Sequence, residues 1–183
     1  MFELTAGEVS LAVLVLALAL AGLWLLAVRR LRRAADAVDA AWAQLETVLV
    51  RHHAAAEELV SVTDAHHLLS ERRREFIEHA VNDVARTGSP EERARREARL
   101  HDMVTALDRV LAAETSTVAM PVRAAQRAYG RAWDETETVG ERYDRLASGY
   151  NRTVRLPLVI LAARRVGRVH AERFRPGPLG EDD

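Results

Sequence analysis

The sequence predicts an all-α protein in which an N-terminal transmembrane helix is followed by an antiparallel four-helix bundle with long helices. Three observations predict it. Val9–Val28 is an unbroken run of twenty uncharged, mostly apolar residues. Elsewhere, apolar residues recur at spacings of three and four, the period of one helix face. Period-two alternation, the mark of a half-buried strand, is absent.

The run VSLAVLVLALALAGLWLLAV comes first. At about 1.5 Å per residue it spans ~30 Å, the thickness of a bilayer's hydrocarbon core. Trp24 lies near one end, where interfacial aromatics collect. A cleaved signal peptide wants a basic n-region and a shorter apolar stretch. Here the preceding charges are Glu3 and Glu8, so an uncleaved anchor is expected. Arg29, Arg30, Arg32 and Arg33 follow the run directly. By the positive-inside rule that end faces the cytoplasm, giving a single-pass protein of the cell membrane with its N-terminus outside. The expected division is 1–8 as a short extracytoplasmic N-terminus, 9–28 as the transmembrane helix, 29–174 as a cytoplasmic helical domain and 175–183 as a disordered tail.

Between Ala34 and Arg86 there is neither Gly nor Pro. Trp42, Leu45, Leu49, His52, Ala56 and Leu59 form one stripe. It weakens near Ala54–Ala56 and again near Thr63–His67, where a bend or restart is expected. Phe76, Ile77, Ala80, Val81 and Val84 make a second stripe. In Thr87–Glu92, Gly88 suits a left-handed residue just past a helix end. Ser89 caps the next helix, Pro90 takes its first position and Glu92 closes a capping box. That helix is expected to reach about Ala113 through Leu100, Met103, Val104, Leu107, Val110 and Leu111, with its charged first half, Glu91–Arg99, solvated. A looser stretch, Glu114–Pro121, precedes a last long helix over Val122–Leu156. Gly130, Gly140 and Gly149 weaken that helix or permit close approach, and Pro157 ends it. Two roles fit the apolar, Arg-containing run after Pro157: lying in the headgroup region, or closing the bundle's end.

Composition narrows function. With 26 basic and 27 acidic residues the net charge is −1, so no basic face for nucleic acid is expected. Every basic residue is Arg and there is no Cys, which removes a conventional P-loop lysine, disulfides and thiolate metal sites. The Arg runs 72–74 and 93–99 are interleaved with Glu and read as salt-bridged faces. Of the seven histidines, His52 and His66 share a helix face but stand about 20 Å apart, too far for one metal. Glu75 with His79, and Asp64 with His67, are spaced to pair locally. HExxH, Glu-x-x-His and G-x-S-x-G motifs are absent. The expectation is therefore no catalytic residue, no metal, no cofactor and no small-molecule substrate.

One resemblance stands beside this reading. A membrane helix followed by AWAQLETVLVRHHAAAEELV (Ala41–Val60) resembles the LemA family, through Ala41, Trp42, Gln44, Leu45, Glu46, Leu49 and Arg51, with Leu59 and Val60 closing the motif. Tyr143-Asp144 stands seven residues before Tyr150-Asn151, with Val154 and Leu156-Pro157 beyond. This is similar to the family's paired Tyr-Asn dipeptides and Phe-Pro. The chain departs from the pattern at Glu57 (family Pro), Asp144 (Asn), Leu156 (Phe) and Met120-Pro121 (Tyr-Pro). The resemblance implies an antiparallel four-helix bundle on an N-terminal anchor, no established enzymatic activity, and packing roles for Trp42, Tyr143 and Tyr150, with Asn151 bonding across helices. The expected function is a membrane-anchored scaffold or interaction module, with the bilayer and a protein partner or a second copy as partners. An accessory subunit relaying signals to a membrane protease, transporter or sensor kinase is the alternative.

Overall fold

The computed structural model describes residues 6–114, 120–155 and 170–175. They form α1 (Ala6–Ala65), α2 (Glu71–Val84), α3 (Pro90–Glu114) and α4 (Met120–Val154), with no strand among the described residues. The apolar run and the first bundle helix are one helix. α1 has 60 residues, about 90 Å at 1.5 Å per residue. It is long and apolar enough to cross a membrane, and its side chains from Leu11 to Ala21 are all exposed.

α4 packs chiefly against α1, and α2 pairs with α3. The direction is antiparallel: Trp42 meets Tyr143 while Arg51, further along α1, meets Glu135, earlier in α4. The expected stripe is the buried face of α1, with Leu45, Leu49, His52, Ala56 and Leu59 all in the core. α1 runs straight through the weak Ala54–Ala56 stretch, where Ala56 is fully buried. It stops at Ala65, inside the second weak stretch. There the Leu68 N–H donates to the Thr63 carbonyl and the His67 N–H to that of Asp64, the six-to-one and five-to-two bonds of a Schellman end. His67 takes the left-handed position with φ 55°, which Gly would occupy without strain.

The Ser89 turn forms the expected capping box: Ser89 N–H donates to Glu92 Oε2 (3.1 Å) and Glu92 N–H to Ser89 Oγ (3.3 Å). Gly88 serves a different end from the one expected. Its φ lies outside the left-handed region, and a Cβ there would collide with the Arg96 guanidinium. That guanidinium donates to the carbonyls of Asp83 (3.2 Å), Arg86 (2.8 Å) and Thr87 (3.4 Å), gathering acceptors in the last turn of α2 and just beyond it.

Two apolar clusters fill the bundle. The first joins Leu31, Val38, Leu45 and Leu49 of α1 to Ala94, to Tyr143, Ala147, Tyr150 and Val154 of α4, and to Phe174. The second, from all four helices, includes Leu59, Ile77, Val81, Leu100, Leu107, Val122 and Tyr129. Trp24, Ala27 and Val28 pack on the first cluster, so core packing begins inside the last turn of the apolar run. Phe76, expected in the α2 stripe, is 62% exposed. Ile77, Ala80, Val81 and Val84 already complete the inward face, and Phe76 sits about 100° round the helix from Ile77. Pro157, the apolar run behind it and the tail from 176 lie outside the described residues.

Candidate functional site: a buried His–Glu–His layer

On three helices the two apolar clusters are separated by polar residues. His52 lies between Leu49 and Ala56 on α1, Glu97 between Ala94 and Leu100 on α3, and Thr136 between Tyr129 and Tyr143 on α4. All three are at most 1% exposed. Burial of Glu97 corrects the expectation that Glu91–Arg99 is solvated. The α3 positions 94, 97, 98, 100 and 104 form one helical face turned inward, all of them buried.

Glu97 accepts from two adjacent histidines of α1. His52 Nδ1–H donates to Oε2 at 3.0 Å, and His53 Nε2–H donates to Oε1 at 2.6 Å. Burial alone would raise the pKa of this carboxyl, but the hydrogen bonds and charge of the two imidazoles outweigh it and hold the pKa below its ordinary value. The group is thus a carboxylate, which can only accept, so both facing nitrogens carry the proton. His52 Nε2 is buried and has no hydrogen-bond partner among the described residues. Its ring lies beside Tyr129 (4.9 Å between centroids) and Trp133 (5.4 Å). Trp133 stacks on His101 at 3.8 Å, and Tyr129 Oη lies 3.5 Å from His101 Nδ1. Burial, then repulsion from His52, pushes the His101 pKa down. Burial pushes that of Tyr129 up.

Trp42, Tyr143 and Asn151, from the resemblance, gather at the other end of α4 around a non-helical segment, 170–175. Among the described residues Asn151 bonds not across helices, as expected, but to the backbone of this segment. Its Nδ2 donates to the Ala171 carbonyl and its Oδ1 accepts from the Ala171 N–H, both at 2.8 Å. Tyr143 Oη–H donates to the Glu172 carbonyl at 2.9 Å, and Asp144 Oδ1 accepts from the Phe174 N–H at 2.7 Å. Burial raises the Tyr143 pKa to about 12. Phe174 fills the space over Gly140, where a Cβ would come within 3.1 Å of the ring, and sits edge-on to Trp42 at 6.3 Å. Trp42 also faces Tyr143 at 5.3 Å and carries the Arg93 guanidinium 5.5 Å from its ring centre. Arg93 in turn pairs with Glu46 at 2.9 Å. Leu45 and Leu49 are core, Gln44 is exposed, and Arg51 makes an exposed pair with Glu135 at 2.7 Å. Arg29, Arg30, Arg32 and Arg33 are all exposed beside the apolar run. The Asp64 carboxylate, spaced to pair with His67, meets Arg74 at 3.5 Å, and His67 reaches Asp64 only through its backbone N–H.

These features define a class: an all-α bundle built on one long apolar helix, with a buried carboxylate held between imidazoles. No known family profile and no functionally characterised protein matches the chain. His52 falls on the apolar stripe, the one sequence signal of its burial, whereas nothing local in the sequence marks Glu97, 45 positions away.

Proposed function

We propose that the chain is a membrane-anchored, non-enzymatic interaction module that organises protein partners at the inner face of a bacterial membrane. The observation that carries this reading is the exposed front of α1. Ten large aliphatic side chains between Leu11 and Leu26 are 55–65% exposed. At about 1.5–3 kcal/mol for each such side chain, leaving them in water forfeits on the order of 15–30 kcal/mol. A bilayer removes that cost, and the four exposed arginines behind the run favour the cytoplasmic side for the bundle.

The surface that supports docking is a groove of about 740 Å³ between α2 and α3, lined by Phe76, Ile77, Met103, Leu107 and Val110 with Arg72 and Arg73 at its edge. Its occupant is a partner helix with an apolar stripe and an acidic flank, by charge complementarity to the two arginines. Photo-crosslinking from position 76 of the full chain in native membranes tests this. A discrete heterologous adduct, lost in Arg72→Glu/Arg73→Glu, is expected. Adducts only between copies of the chain, none at all, or a C-terminal reporter found outside the cell would each overturn the reading.

One observation favours the accessory, signal-relaying role. α1 runs without a break from the apolar front to the buried His52 layer, so a movement of the span reaches the core directly.

A further inference from the structure

We propose that His52, His53 and Glu97 form a binding site for a divalent transition-metal ion of the Zn²⁺ class. Each histidine offers one ring nitrogen and Glu97 its carboxylate, and all these donor atoms lie within 4.8 Å of one another. Two imidazoles and one carboxylate are a donor set that Zn²⁺ favours.

Tetrahedral coordination with bonds of about 2.0–2.2 Å sets donor atoms roughly 3.3 Å apart. The observed separations are 3.0 Å from His52 Nδ1 to Glu97 Oε2 and 2.6 Å from His53 Nε2 to Oε1. A cation in the mouth of the carboxylate therefore asks each ring nitrogen to draw back from its carboxylate oxygen by less than about 1 Å. The rings reach Glu97 by different nitrogens, which is how neighbours on one helix converge on a single point despite the ~100° between them.

Two further observations point to a ligand. The Glu97 side chain is only 1% exposed, and its hydrogen-bond partners among the described residues are the two imidazoles; a divalent ion would neutralise its charge outright. His52 Nε2 is a buried nitrogen without a hydrogen-bond partner among the described residues. In the bound form His52 ligates through Nδ1 and its proton sits on Nε2, in a ring packed between Glu97 and the side chains of Tyr129 and Trp133. His53, 17% exposed, gives the ion its way in. Three protein ligands leave one position for water. The ion would bind the membrane-anchored helix to α3 at the boundary between the two apolar clusters. This proposal does not depend on what occupies the α2–α3 groove.

The test uses the full chain in detergent, stripped with a chelator, then equilibrated with Zn²⁺ against a competing chromophoric chelator. Roughly one ion per chain is expected, with affinity lowered at least about tenfold by His53→Asn and by Glu97→Gln. His66→Asn/His67→Asn should bind like the unaltered protein. Co²⁺ in place of Zn²⁺ should give the visible absorption of a four- or five-coordinate nitrogen and oxygen site. Should Glu97→Gln fail to fold, the partly exposed His53→Asn and the unaltered chain still decide. The proposal is overturned by no stoichiometric binding, by binding that survives His53→Asn undiminished, or by binding that disappears with His66 and His67.

Discussion

Removing the ring of Phe174 should release the segment that the Tyr143–Asn151 end of α4 holds down, while leaving the rest of the bundle folded. Phe174 is 1% exposed and fills the space over Gly140 beside Trp42. Phe→Ala at such a site costs about 3–5 kcal/mol. The segment is otherwise kept in place by hydrogen bonds from Tyr143, Asn151 and Asp144, each adding about 1 kcal/mol. These bonds belong to the segment alone, so it opens locally before the helices separate. At 1.4 kcal/mol per decade, the local opening constant rises by roughly two to three orders of magnitude, up to the limit where the segment is already open. Amide hydrogen exchange reads this directly. The Ala171 and Phe174 amides should lose protection in Phe174→Ala, whereas that of Val104, in the far cluster, should not change. Equal exchange at 171 and 174 in both proteins would refute the reasoning. A parallel loss at Val104 would show that the segment and bundle unfold as one unit.

Three more predictions concern stability. Gly149→Ala and Gly130→Ala meet nothing within 4 Å and should each stabilise α4 by up to about 1 kcal/mol in denaturant titration; Gly140→Ala, whose Cβ would press on Phe174, should destabilise it instead. His67→Gly should add roughly 1 kcal/mol, because it removes the left-handed strain at the end of α1 while keeping both backbone bonds. Glu97→Gln should flatten the acid limb of the stability curve. The carboxyl's folded-state pKa lies below its ordinary 4.5, so its stabilisation is complete above that value and is lost as pH falls through the folded pKa. Urea midpoints between pH 3 and 7 would show the effect, and an unchanged slope below about pH 4.5 would count against the His–Glu–His hydrogen bonds.

Helix faces were legible wherever local chemistry decides them. The α1 stripe, the Ser89 capping box and the apolar front need only neighbours within a turn or two. Phe76 was misplaced because a stripe of adjacent apolar residues, Phe76-Ile77, does not say which one faces inward once α3 is docked. Glu97 was invisible for a related reason. Among Glu91, Glu92 and Glu97 no local feature marks the one that meets a histidine pair, since that depends on how α3 lies against α1. Gly88 looked like a left-handed helix terminator, but its role is set by Arg96, eight residues on. Residues 170–175 have no periodicity at all. Their order comes from side chains of α4 that bond their backbone, and Asn151, read as an interhelical contact, is the one that aligns them.

The apolar front and the first core helix are one helix, so on the proposed membrane-anchored reading the bundle would have no joint to decouple it from the bilayer. His52 stands 24 residues beyond Val28, about 36 Å along the axis. In a thin membrane a span tilts to hide its excess length, and a lean of 10° would sweep that layer sideways by roughly 6 Å. On that reading, bilayer thickness would set the angle at which the bundle meets its neighbours.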